Sequence, residues 1–327
     1  MKYRDRIYQK EFELTPVEGE IVASSNFQRL KFISHAGMNM DRSTHTRHEH
    51  TLGVWTLCNV VQLGVYERIA SLVHDIGHMP FSHSFEKSFK GKVDHKSLTK
   101  HEVTAGETSK ILEQHGIDIH KILEIIFKES DDNPINSTNG IMSLDHLDSF
   151  IRDVHYYGVN PHNIPEIIGQ LSVEGGKLIT NLENARKVMD LLFIDHSILF
   201  SKKAILLEYL AQKLFEEAKK IKLLKGDEYF VRDFDLLERF NSCDDPVIQR
   251  LLRQIFSLVP LLTEEEIKVE KTDKKEESDI SINRIYRESI FVGNQLVEDV
   301  DEKIKKRLQE LDQYLGHYKI NYPPSTH

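Results

Sequence analysis

Apolar residues recur at helical spacing through most of the first 165 positions. Leu52, Val54, Trp55, Leu57, Val60, Val61 and Leu63 predict a helix that follows the polar segment 47–50. A second apolar run, 69–73, leads into His74. Gly77 and Pro80 break it, because proline cannot continue a helix interior. The pattern restarts over 81–89 and returns over 103–115, 117–127 and 141–155.

Beyond residue 165 the pattern changes. Residues 171–180 read as a β-hairpin, with Gly175-Gly176 supplying the positive φ of its turn. Helical spacing resumes over 185–200 and 204–224. Lys and Glu dominate 264–279 with both signs mixed, which predicts a solvated loop or exposed strand. A short strand over 290–297 and a charged helix over 300–315 complete the reading. The expected fold is mainly α: a helical core over 1–165, then a mostly helical extension over 166–327 with a hairpin and a mixed α+β portion. No internal repeat is visible.

With 39% hydrophobic and 29% charged residues, the 327-residue chain suits a soluble globular protein with a sizeable core. Lys and Arg number 43 against 52 Asp and Glu, a net charge of −9. That balance argues against a nucleic-acid binder, which needs a basic face. Cys58 and Cys243, the only cysteines, make neither a disulfide framework nor a thiolate zinc site. No signal-peptide pattern and no membrane-length apolar run is seen, so a cytoplasmic location is expected.

Histidine changes the picture. Of 17 histidines, 13 fall between His45 and His162. His74-Asp75 sits at the end of an apolar run, where one imidazole and one carboxylate can reach the same ion. Upstream lies Thr46-Arg47-His48-Glu49-His50, and downstream Leu144-Asp145-His146-Leu147-Asp148. Together these supply a His…His-Asp…Asp set of mixed N and O donors, which suits a hydrolytic divalent metal.

Four blocks in order make the chain resemble the HD-domain phosphohydrolases, within their deoxynucleoside triphosphate triphosphohydrolase-like branch. They are Arg4-Asp5-Arg6-Ile7-Tyr8 with Phe27-Gln28-Arg29-Leu30, the segment around His50, the stretch His74 to Glu86, and Asp145 to Asp153 followed by Tyr156-Tyr157-Gly158-Val159. The resemblance covers roughly residues 4 to 165. It implies one divalent ion (Mn, Mg, Fe, Co, Ni or Zn) on His50, His74, Asp75 and Asp145. It implies that His78, His83, Glu86 and His101 line the phosphate side, with His83 protonating the departing sugar oxygen and Glu86 and His101 orienting water. Arg47, three residues before His50, and Arg152, seven after Asp145, match phosphate-contacting arginines. The implied reaction is hydrolysis of a (deoxy)nucleoside triphosphate to nucleoside and triphosphate, by a homo-oligomer.

The departures bear on substrate. Relatives carry Gln-Leu-Gly where this chain has His35-Ala36-Gly37, Tyr where it has Ser149, and often Lys where it has His146. These positions contact sugar and phosphate in the resemblance, so the sugar pocket is expected to be more open here. Two other readings stand beside this one. A phosphodiesterase or phosphomonoesterase of the wider superfamily would use His78, His83 and His101 for a second ion. A nucleotide-sensing or partner-binding module would use the site without turnover.

Overall fold

The computed structural model describes the chain apart from residues 40–43, 89–92, 129, 131, 138–139, 225–227 and 324–327. It opens on a hairpin that helical spacing does not announce: β1 (Lys2–Asp5) pairs antiparallel with β2 (Lys10–Glu13). Helices α1 (Pro16–Ala23) and α2 (Ser25–Arg29) follow. Then come α3 (Arg47–Val60), α4 (Val65–Val73), α5 (Ser82–Lys87), α6 (His95–Ala105), α7 (Glu107–Gln114), α8 (Ile119–Phe127), α9 (Leu144–Tyr156) and α10 (Ile164–Ile168).

The mainly helical expectation holds, with corrections at particular elements. The apolar run 103–115 is two helices, because the chain turns extended at Gly106. Glu102 fills that corner and accepts the Thr108 amide at 3.1 Å. The restart after Pro80 is the short α5, and residue 89 lies outside the described residues.

The hairpin is β3 (Ser172–Glu174) and β4 (Lys177–Thr180), turning through Gly175 at φ 55° and Gly176 at φ 77°. Helices α11 (Leu182–Leu199), α12 (Lys202–Lys220), α13 (Asp233–Asn241) and α14 (Pro246–Arg253) come next. The Lys/Glu-rich segment contains β5 (Lys268–Thr272), followed by β6 (Ile280–Ile282). The short strand expected over 290–297 is a tight pair, β7 (Phe291–Val292) and β8 (Gln295–Leu296). The chain continues through α15 (Val297–Val300), α16 (Glu302–Glu310) and β9 (Gly316–Asn321). β7 pairs parallel to β4, giving the order β3-β4-β7-β8, and β9 runs between β5 and β6.

Two apolar clusters organise the molecule. One joins Trp55 and Leu57 of α3, Leu72 and Val73 of α4, Ile151 of α9 and Leu192 of α11. The other joins Leu210 and Leu214 of α12, Phe240 of α13 and Ile248 of α14. Phe81 and Phe85, from the turn after His74 and from α5, are fully buried in this second cluster. Each such side chain contributes about 1.5–3 kcal/mol of burial. The turn carrying the histidines is thereby pinned to the C-terminal half.

Candidate metal centre

Two helix starts and one helix end bring the candidate ligands together. Thr46 caps α3: its hydroxyl accepts the Glu49 amide at 3.3 Å, and the Glu49 carboxylate accepts the Thr46 amide at 3.0 Å. That fixes Arg47 and His50 on the first turn. Ser143 caps α9 by accepting the His146 amide, which fixes Asp145. α4 ends at His74, and the chain turns so that the His78 amide reaches the Asp75 carbonyl at 3.0 Å. His74 and His78 therefore share no continuous helix. Gly77 in this turn passes so close to α6 that a Cβ would lie 2.2 Å from the Thr99 nitrogen. Arg29 holds the turn from below, donating to the Ile76 and His78 carbonyls at 3.0 and 2.8 Å.

His50 Nε2 lies 3.0 Å from Asp145 Oδ1 and 3.7 Å from Asp75 Oδ2. His74 Nε2 lies 3.6 Å from both Asp75 Oδ1 and Asp145 Oδ1. Both Nε2 atoms are buried and neither has an aligned hydrogen-bond partner. Their Nδ1 atoms are occupied. His50 Nδ1 donates to Asp148 Oδ2 at 2.8 Å, and His74 Nδ1 donates to the Ser71 carbonyl at 2.8 Å. A carbonyl can only accept, so the neutral His74 ring presents its lone pair at Nε2. Two lone pairs facing two carboxylates fit a divalent ion of the N/O class.

The electrostatics agree. Burial works against the charge on Asp75, yet His78, His74 and Arg47 hold its carboxyl well below the usual range. Burial likewise opposes the His74 imidazolium, but Asp75 and Asp145 raise it to about 9, so without a cation the ring holds a proton that a bound ion would displace from Nε2. The four residues thus concentrate negative charge at one point.

Beside this set, His78 Nε2 is 3.3 Å from Asp75 Oδ1. The His78 ring stacks on His95 at 4.3 Å and 10°. Glu86 Oε2 is 2.8 Å from His95 Nδ1 and 3.3 Å from His83 Nδ1. Burial would raise Glu86, but its bonds with His83 and His95 keep it below the ordinary glutamate range. Here an expectation is corrected. The imidazole beside Glu86 is His95, at the start of α6, whereas His101 is exposed. Six helical residues separate the two, which turns His101 by roughly 240° around the axis.

Arg152 is corrected as well. Its side chain is only 3% exposed, donating from Nε to Asp148 Oδ1 and Oδ2 at 3.0 and 2.9 Å and from a terminal nitrogen to Asp5. Tyr8 donates to the same Asp148 at 2.5 Å. Gly53 makes room for the pair, since a Cβ there would lie 1.9 Å from Asp148 Oδ1. Arg152 belongs to a buried network on the Nδ1 side of His50, and two carboxylates occupy the guanidinium fork expected to take phosphate. Asp148→Ala strands Arg152 without its i−4 partner, and loss of stability by about 3–5 kcal/mol is expected on denaturant unfolding.

Arg47 donates to Asp75 Oδ2 at 2.6 Å and to Ser82 Oγ at 3.0 Å. Phe81 and Ser82 hold left-handed backbone, φ 53° and 48°, which non-glycine residues adopt only when the surroundings enforce it. Asp233 does so: its carboxylate accepts the Phe81 and Ser34 amides, each at 2.7 Å. His35 and Ser149, expected in the sugar pocket, meet at 3.4 Å. His146 pairs with Glu288. Sequence reasoning missed His95, Asp148, Asp233 and Glu288, and missed His45, which stacks on His35 at 4.4 Å. Among the described residues no helix is long and apolar enough to cross a membrane.

The family model of the HD domain matches residues 47–192. The chain is similar to the uncharacterized protein YdhJ of Bacillus subtilis, 25% identical over 94% of both chains. It is 30% identical to the deoxynucleoside triphosphate triphosphohydrolase SAMHD1 of Homo sapiens, over 45% of this chain and 32% of that one. The chain thus spans about a third of SAMHD1. In fold it is similar to a phosphohydrolase of Bacteroides thetaiotaomicron, with TM-score 0.70 at 16% identity, covering 98% of this chain and 99% of the other. A hypothetical protein of Aquifex aeolicus gives TM-score 0.66 at 18% identity over 96% and 99%. The cluster of His50, His74 and Asp75 falls within residues 47–192, which match the HD-domain family model, and the chain as a whole is similar in fold to a phosphohydrolase.

Proposed function

We propose that the protein hydrolyses a (deoxy)nucleoside triphosphate to nucleoside and triphosphate, with one divalent ion held by His50, His74, Asp75 and Asp145. The observation that carries this reading is the convergence of two buried, partnerless Nε2 atoms on two carboxylates, beside a second group of His78, His83, Glu86 and His95. An ion bound there lowers the pKa of water and polarises a phosphoryl oxygen. Water oxygen bonds to the α-phosphorus and releases a proton to solvent, the bond from phosphorus to the sugar oxygen breaks, and a protonated His83 gives that oxygen its proton. Half of the His83 side chain is exposed, so it can meet substrate, and Glu86 backs its Nδ1 at 3.3 Å. His95 fixes Glu86 from the other side. Arg47 orients Asp75 and brings positive charge to the phosphate. His35 and Ser149 border the sugar, and weaker discrimination between deoxy and ribo substrates is expected than in relatives with Leu and Tyr.

The test is incubation with dNTPs, NTPs and monophosphates in Mn²⁺, Mg²⁺ or Co²⁺, with products read by chromatography. Intact triphosphate is expected. Release of orthophosphate or pyrophosphate would overturn the mechanism and spare the metal site. A second reading draws on Asp75, His78 and His95, whose donor atoms all lie within 4.8 Å of one another. Two ions sharing Asp75 would suit a phosphodiesterase, and two metal equivalents per chain would favour it.

A further inference from the structure

The stretch between β6 and Ser289 is a strap without regular secondary structure that meets α9 at His146. Its ends are fixed. β6 pairs with β9, and the Ser289 amide and carbonyl bond Gly140 and Met142 at 2.8 and 2.9 Å, next to the Ser143 cap. Ile285 and Tyr286 both pack on the first apolar cluster, and Arg287 pairs with Asp312. Glu288 is buried and pairs with His146, the neighbour of Asp145. The Tyr286 ring contacts His146 at 4.5 Å and lies within electrostatic reach of Asp145 and Arg47. The Arg284 guanidinium sits over the Tyr286 ring at 4.9 Å. It is exposed, and no carboxylate pairs with it among the described residues.

The guanidinium groups of Arg47, Arg152 and Arg29 are all occupied: Arg47 by Asp75, Arg152 by Asp148 and Asp5, Arg29 by two carbonyls. A polyphosphate needs a planar fork that is free to take its oxygens. We propose that Arg284 is a substrate-binding residue that recognises the polyphosphate beyond the reacting phosphorus, with Tyr286 and the His146–Glu288 pair as positioning residues. This rests on the nucleoside triphosphate reading. The C-terminal strap thereby supplies the contact that distinguishes a triphosphate from a monophosphate.

The experiment is equilibrium titration of Mn²⁺-saturated protein with dATP and dAMP, in a His83→Ala background so that turnover does not consume ligand. The parent is expected to prefer dATP. Arg284→Ala is expected to weaken dATP by about tenfold or more, one charge-assisted contact, while dAMP changes by less than about twofold. Arg284→Lys keeps part of the preference, since it keeps the charge and loses the fork. Tyr286→Phe behaves as the parent, because the ring and not the hydroxyl supports Arg284, whereas Tyr286→Ala follows Arg284→Ala. Equal weakening of both ligands by Arg284→Ala, no weakening, or no preference in the parent overturns the assignment. If neither nucleotide binds, this inference and the proposed function fall together. If the preference and its loss are found but the His83 protein releases no triphosphate, the proposed reaction falls and Arg284 keeps its role.

Discussion

Asp75→Ala is expected to remove bound metal and activity together. Asp75 is the residue on which the site converges: Oδ1 lies 3.3 Å from His78 Nε2 and 3.6 Å from His74 Nε2, and Oδ2 takes Arg47 at 2.6 Å. Two effects add in the variant. The ion loses an anionic donor, and Arg47 is left uncompensated beside His50 and His74, where it repels any cation. The second effect makes alanine worse than the loss of one ligand. Losing only an outer hydrogen-bond partner of a ligand typically costs about 10–100-fold in metal affinity, and a larger loss is expected here. Metal content of the purified variant, measured by mass spectrometry alongside turnover, checks it. Full occupancy in Asp75→Ala would show that the ion sits elsewhere.

His83→Ala is expected to lower kcat by about 10²–10⁴-fold, the usual contribution of a positioned general acid, with metal content nearly unchanged. The separation follows from geometry. His83 groups with Glu86 and His95, not with His50, His74 and Asp75. Its side chain is half exposed, so truncation opens no core cavity and the unfolding midpoint should hardly move. Glu86→Gln should act in the same direction and more weakly, because it weakens the partner that orients His83 and leaves the imidazole in place. A His83→Ala protein that keeps its kcat would exclude this imidazole as the acid.

What the sequence reveals depends on how local the signal is. The helical core is legible because α3, α4 and α9 each carry a buried apolar stripe with the period of a helix. The hairpin of β3 and β4 is legible from its glycine pair. The hairpin of β1 and β2 is not: Lys2–Asp5 and Lys10–Glu13 are short and mostly charged, and their pairing brings Asp5 to Arg152 across 147 residues. The ligand set His50, His74, Asp75 and Asp145 stands in recognisable blocks, and the structure brings all four to one place. His95 could not be chosen over His101 by spacing, because the choice depends on how α6 lies across the turn at Gly77. Arg152 shows the converse error. Its register on α9 is right for the ligand face by count, but Asp148 one turn earlier claims it. The strap from 284 to 288 left no trace in the pattern, since a segment without regular secondary structure has no period to detect.

The carboxylate of Asp233, which holds the Ser34 and Phe81 amides, has a consequence for the order of assembly during synthesis. All four candidate ligands precede it, and Asp145 is made 88 residues earlier. At roughly 5–20 residues per second, the ribosome needs about 4 to 18 s to reach Asp233 after Asp145. Through that interval the left-handed turn at Phe81 and Ser82 lacks the carboxylate that takes the Phe81 amide, and Arg284 does not yet exist. The four candidate ligands are therefore all synthesised before the carboxylate that holds this turn and before the strap that carries Arg284.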